Sequence, residues 1–224
     1  MHISFKQGLD KFDSKNYPNI EPEEIDLLLN QAQDTFVKQR YGFNNVSKSP
    51  FERDQKRIED LKEVIVSDFI TPQVNGPYNI NANSVFAPMP QDHWITVQEL
   101  ANITRKDCNG IDEEVKGVYV QAIQHNDYSK LISNPFAKPT QDKVLRMSTK
   151  YGAELLHDPG CTINLYKIRY IKQPVRIDIT NSVDCELSLM VHQEIINIAI
   201  SIALENIEAE RIKTFIQVVE NKQE

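Results

Sequence analysis

The sequence predicts an α+β protein: a helical bundle of three N-terminal helices plus one C-terminal helix, carrying a β-rich insertion. Three observations predict it. From Phe5 to Ile65 the apolar residues recur at helical spacing. From Trp94 to Ile171 the runs become β-branched and aromatic, and one of them alternates with period two. From Glu194 to Glu205 the chain is apolar around most of a helix's girth. The expected bundle comprises residues 1–73 and 186–224. The expected insertion is 74–185, with proline-flanked loops.

Phe5, Leu9 and Phe12 stand at i, i+4 and i+7 and predict a short first helix, broken by Tyr17-Pro18-Asn19. Pro22 suits a first helical turn, and Glu23 and Glu24 favour its positive end. Ile25, Leu28, Leu29, Ala32, Phe36 and Val37 continue that helix to a stop at Gly42. Ser49-Pro50-Phe51-Glu52 is a capping box, after which Phe51, Ile58, Leu61 and Ile65 mark one face of a third helix.

Val74 to Asn83 is rich in turn residues and marks a boundary. Strands are predicted over 94–103, 115–123, 143–148 and 162–171. In the last, Tyr166, Ile168 and Tyr170 point one way, while Lys167 and Arg169 point the other. Asn109-Gly110 and Asp158-Pro159-Gly160 are turns between runs. A single helical turn over Asp127 to Leu131 precedes Asn134-Pro135-Phe136-Ala137-Lys138-Pro139, a stiff loop with an exposed Phe between prolines.

The final helix holds Ile195, Ile196, Ile198, Ala199, Ile200, Ile202, Ala203 and Leu204. A rod apolar on nearly every side needs cover on nearly every side. It is either the central member of the bundle or shared with another subunit. Each buried Ile or Leu contributes ~1.5–3 kcal/mol before entropy, enough to decide topology where helix propensity is not.

The charge balance, −7 with a pI near 5.3, argues against a duplex-gripping protein. An acidic protein can still surround DNA without holding it, because like charge repels the phosphates. Cys108, Cys161 and Cys185 are odd in number and widely spaced, which suggests neither disulfides nor a zinc knuckle. The N-terminus shows no signal core, and the apolar C-terminal run is too short to cross a bilayer, which needs ~20 residues. No membrane partner is expected.

No catalytic, cofactor or metal site is read from the chain. His157, Asp158 and Cys161 form the one local cluster that suggests a metal or a nucleophile, and Pro159-Gly160 makes the same stretch a simple turn. Seven glycines form no phosphate-cradling loop. An enzyme would need a site assembled from distant residues. Lys167, Arg169, Lys172 and Arg176 make a basic strip interleaved with Tyr166 and Tyr170. It reads as a phosphate-facing edge, as the solvated face of an edge strand that blocks unwanted pairing, or as a salt-bridge surface for another subunit.

Taken in order, these pieces resemble one group of phage proteins. The phrases are Asn134-Pro135-Phe136-Ala137-Lys138-Pro139, Tyr170-Ile171-Lys172-Gln173-Pro174-Val175-Arg176-Ile177, Cys185-Glu186-Leu187 and His192-Gln193-Glu194-Ile195-Ile196. They are similar to the connector (ring or head–tail adaptor) proteins of crAss-like podoviruses that infect Bacteroides. The resemblance spans nearly the whole chain, and Leu187-Ser188-Leu189-Met190 departs from it where a proline-bearing lead to the last helix is expected. It implies a structural virion protein, made in the host cytoplasm. It implies a ring of twelve copies beneath the portal, touching the next tail ring or tail proteins, with genomic DNA passing through the centre. Subunit contacts are expected at Asn134, Phe136 and Pro139 of the loop and at Ile195, Ile198 and Ile202 of the last helix. The alternative reading is a phage-associated nucleic-acid-binding module that uses the strip 167–176.

Overall fold

The computed structural model describes residues 1–10, 20–42, 55–74, 81, 83–106 and 110–220, and of 207–220 the backbone alone. Phe12, the break at 17–19, the capping box at 49–52, most of the 74–83 turn segment and Asn109 lie outside the described residues. The chain forms two compact units, Met1–Val64 with Pro174–Glu224, and Ile65–Gln173.

The first unit is helical. Helix α1 (His2–Asp10) buries Phe5 and Leu9. Helix α2 (Pro22–Tyr41) has Pro22 in its first turn, and the Glu21 N–H donates to the Glu24 carboxylate at 3.1 Å. It ends at Gly42 with φ 115°, a conformation that costs glycine nothing and other residues a clash. Helix α3 (Gln55–Leu61) follows. Helix α5 (His192–Glu220) packs on α1 and α2, whereas the intervening α4 (Tyr128–Ser133) belongs to the other unit. A turn at Leu189–Val191 leads into it, with Ser188 Oγ accepting from the Met190 N–H at 3.4 Å and a His192 ring nitrogen 2.9 Å from Leu187 O. Ser188 thus supplies the helix start where a proline is expected.

The rod is less uniformly apolar than its composition suggests. Ile195, Ile196, Ala199, Ile200 and Ala203 are buried, and at 100° per residue they fill a sector of about 140°. Glu194 is half-buried, and Asn197, Ser201 and Glu205 are exposed; together they form a polar stripe opposite. Ile198 and Ile202 are half-buried at the sector's edge.

Residues 174–179 run along α2, and the helix serves them as a strand would. Asn30 Nδ2 donates to Ile177 O at 3.0 Å, and Ile177 N donates to Asn30 Oδ1 at 2.8 Å. Gln33 Nε2 donates to Val175 O at 3.0 Å, and Ile179 N donates to Asp26 Oδ2 at 3.0 Å. The fit is metric: i, i+4 on a helix advances ~6 Å, and two residues of extended chain advance ~6.6 Å. Asp26, Asn30 and Gln33 therefore meet residues 179, 177 and 175 in turn.

The second unit is a seven-stranded mixed sheet. Its strands are β1 (Ile65–Ile70), β2 (Ser84–Pro88), β3 (His93–Lys106), β4 (Asp112–Ala122), β5 (Lys143–Thr149), β6 (Gly152–Leu156) and β7 (Cys161–Lys172). The order is β1-β7-β3-β4-β5-β6-β2, antiparallel except for β4 with β5. That parallel pair needs a crossover. The chain from 123 to 142, with helix α4 (Tyr128–Ser133), supplies it. Ala101, Ile103, Val118, Val120, Tyr166, Ile168 and Tyr170 belong to the sheet's main core. Gly117 (φ 77°) donates to Asn102 Oδ1 at 3.3 Å where the β3–β4 register shifts.

The expected fold class is therefore corrected. The chain is strand-rich, with a sheet and core of its own, and is not a helical bundle bearing a smaller insertion. Three strands cause the difference. Ile65 does not extend the third helix, which stops at Leu61. After one tight turn the β-branched pair Ile65-Val66 starts β1 on β7. Strands β2 and β6 close the opposite edge, with Pro88 at the end of the edge strand, where a missing N–H is tolerated.

Candidate subunit-contact surfaces

The loop after α4 is held as a rigid tip. Asn134 Oδ1 accepts from Phe136 N at 3.0 Å, and Asn134 O accepts from Ala137 N and Lys138 N at 3.1 and 3.0 Å. Thr140 and Lys143 exchange backbone bonds at its base, and Pro139 is buried there. Phe136 stands out from this frame 95% exposed. A single exposed apolar residue is ordinary. A phenyl ring on a fixed tip differs, because its docking costs little ordering entropy.

The helical unit carries a cleft that the sequence did not reveal. A cleft of about 620 Å³ is lined by residues 1–4 and 177–179 and 182–185. Its walls are fixed. Asp26 takes the His2 ring at 2.6 Å and the Ile179 N–H at 3.0 Å. Asp178 and Val183 exchange backbone bonds of 3.1 and 2.8 Å. Asp178 Oδ1 and Oδ2 accept from Asn181 N and Nδ2 at 2.9 and 2.7 Å, which lowers the Asp178 pKa and keeps it charged. Ser182 holds φ 56° in this turn, a strained position for a residue with a side chain. Ile3 and Ile179 face solvent here, 74% and 48% exposed.

The basic strip is divided between the units. Lys167, Arg169 and Lys172 lie on β7, and Arg176 lies in the helical unit, 2.9 Å from Asp34. Strand β7 is interior, between β1 and β3, so the edge-strand reading is corrected. Register aligns Phe69, Lys167, Leu100 and Tyr119 across four strands, with Phe69 and Tyr119 exposed. Lys167 Nζ lies 5.9 Å from the Phe69 ring centroid, and Arg169 is held by Ser67 and Gln98 at 3.3 and 3.5 Å. Among the described residues neither cation has a carboxylate partner.

The chemical candidates do not assemble. Cys161 is buried in the sheet core, and burial, more than the nearby Asp158 charge, raises its thiol pKa, opposite to what a nucleophile needs. A His157 ring nitrogen faces the Asp158 carbonyl at 2.9 Å. No group of three or more His, Cys, Asp or Glu among the described residues is placed to hold a metal. No helix among them is long and apolar enough to cross a membrane. Within the sheet, Arg146 Nε lies 2.8 Å from Glu99 Oε1, and Tyr166 OH donates to the same carboxylate. Burial raises the Glu99 pKa against both partners, and burial with the Glu99 charge raises that of Tyr166. Each member is committed to another, which is the arrangement of a structural triad.

With these surfaces described, kinship decides the class. The family described as phage tail ring protein 3/4 matches residues 3–213. The chain belongs to that family. It is 28% identical over 206 residues to "Ring protein 3" of Bacteroides phage crAss001, covering 84% of this chain and 86% of that protein. It is 22% identical over 207 residues to "Ring protein 4/5" of the same phage, covering 83% of each. The crAss-like resemblance read from the short phrases thus holds, and the chain is a ring-class structural component of a phage particle.

Proposed function

We propose that this ring protein closes into a homomeric ring at the portal vertex, with genomic DNA passing through its centre. Twelve copies match the symmetry that the resemblance implies, and the portal on one side and the next tail ring or tail proteins on the other are its neighbours. The observation that carries this reading is the family match across 3–213. The net charge of −7 supports passage over grip, since an acidic channel wall repels phosphate. The protein is made in the host cytoplasm and ends in the virion as a head–tail connector. Phe136 on its Asn134-capped tip, and Ile198 and Ile202 on the flank of α5, face neighbouring subunits. Pro139 and Ile195 are buried in their own units and support those contacts from behind.

Light scattering and native mass spectrometry of the purified protein, alone and with portal, test this. A ring or a portal-bound ring is expected. A strict monomer that joins neither sinks the proposal. One observation favours a second reading, nucleic-acid binding: Lys167 and Arg169 beside two exposed rings. Titration with duplex at low salt separates the two. The ring reading expects negligible binding and rings intact in Lys167→Glu/Arg169→Glu. The second expects binding that this variant abolishes.

A further inference from the structure

The fixed phenyl tip and the fixed cleft, whose rim carries Ile3 and Ile179, are complementary shapes. We propose that Phe136 of one copy seats in the cleft between Ile3 and Ile179 of the next copy. This rests on the ring reading above and names the surfaces that join its subunits. The chemistry matches on three counts. Phe136 is the most exposed large apolar side chain described, at 95%, and Ile3 and Ile179 are apolar walls at 74% and 48%. The cleft of about 620 Å³ admits a phenyl ring together with part of the loop that carries it. Exposed Lys138 follows Phe136 within the tip, while Asp178 and Asp184 line the cleft.

Both halves are preorganised. The tip is closed by the Asn134 bonds, and the cleft by Asp26 and the 178–183 turn. Little ordering entropy is lost on contact. Tip and cleft are different patches, so the contact is heterologous. Such contacts close into a ring when the rotation between copies closes. An isologous dimer would bury the same patch twice and leave no such chain of contacts. The occupant is a second copy because both complementary halves lie on one sequence.

Two single variants test it: Phe136→Ala removes the tip, and Ile179→Arg fills the cleft. Both positions are exposed, and far-UV circular dichroism checks that each variant folds. Ile3→Arg on α1 replaces Ile179→Arg should the latter unfold. Each variant alone is expected to lose the ring species, with self-association weakened on the order of 30-fold or more, as for a central aromatic anchor. Mixed, the two retain one intact tip and one intact cleft, so a one-to-one dimer and nothing longer is expected by native mass spectrometry. Wild-type rings with unchanged rings from both variants would overturn this contact and leave the ring reading standing. A mixture giving no dimer would also overturn it. A wild-type chain that forms no ring with or without portal refutes the ring reading itself.

Discussion

Asn30→Ala tests whether α2 truly replaces a strand. The Asn30 amide closes both backbone groups of Ile177, donating at 3.0 Å and accepting at 2.8 Å. Ile177 is 6% exposed, so water replaces the lost bonds poorly. Each net hydrogen bond is worth ~1 kcal/mol, and a buried group left unpaired costs ~1–3 kcal/mol. The substitution should therefore destabilise by roughly 2–4 kcal/mol. At about 2–4 °C per kcal/mol for a chain of this size, the melting temperature falls by roughly 4–16 °C. The assay is urea and thermal unfolding followed by far-UV circular dichroism, at fixed protein concentration because association shifts apparent stability. Thr35→Ala, half-buried on the same helix with its hydroxyl donating to Gln31 O, is the control and should stay within ~0.5 kcal/mol. A loss below ~0.5 kcal/mol in Asn30→Ala would refute the helix-as-strand account, since a free 174–179 segment would then fold equally well.

Gly152→Val should destabilise the sheet unit by ~2 kcal/mol or more. A Cβ at 152 meets Phe86 Cζ at 2.7 Å and Pro88 Cα at 3.0 Å across the β2–β6 pair, where backbone cannot retreat. Fluorescence of the single tryptophan, Trp94 on β3, follows that unit's unfolding and should shift to lower urea. Tyrosine titration should also be split. Burial and the Asp92 carboxylate push the Tyr170 phenol up to about 12, and Tyr166 is raised further, so two of the eight tyrosines resist ionisation as pH rises past 10. The folded state then holds protons that the unfolded chain has lost. Stability is therefore fully present below pH 10 and declines as pH rises above it. All eight phenols ionising together near pH 10 in the folded protein would count against the buried placement.

The readable parts were those whose side chains repeat a simple period. Ile25, Leu28, Leu29, Ala32, Phe36 and Val37 marked α2, and Gly42 marked its end, because packing and φ constraints act directly on those residue types. The alternation of Tyr166, Ile168 and Tyr170 marked β7. The sheet's other half was illegible for physical reasons. Gly152-Ala153-Glu154-Leu155-Leu156 holds good helix formers, and only pairing with β5 and β2 makes it a strand. Ile65 satisfied a helical face and a strand equally well. The Phe136 tip was visible from its prolines. The cleft was not, because its walls come from residues 1–4 and 177–185, brought together by buried Asp26. Polar Asp26, Asn30 and Gln33 at i, i+4 and i+7 amid apolar neighbours were the available signal.

The apolar final helix pointed toward assembly for a reason that the structure narrows. Its isoleucines are largely spent inside its own unit: Ile195, Ile196 and Ile200 are 0%, 3% and 6% exposed. Among the described residues of α5, the polar stripe of Glu194, Asn197, Ser201 and Glu205 leaves the half-buried Ile198, Ile202 and Leu204 at its borders. Glu194 is further tied to Lys56 at 2.8 Å and to Arg40, which also meets buried Asp60 at 2.7 Å. A side already crossed by α2 and α3 charges is poorly suited to slide against another subunit, because separating those pairs would strand Asp60. The proposed tip-and-cleft contact accordingly places the joining of copies on elements with polar frames and exposed apolar points rather than on the buried face of the rod.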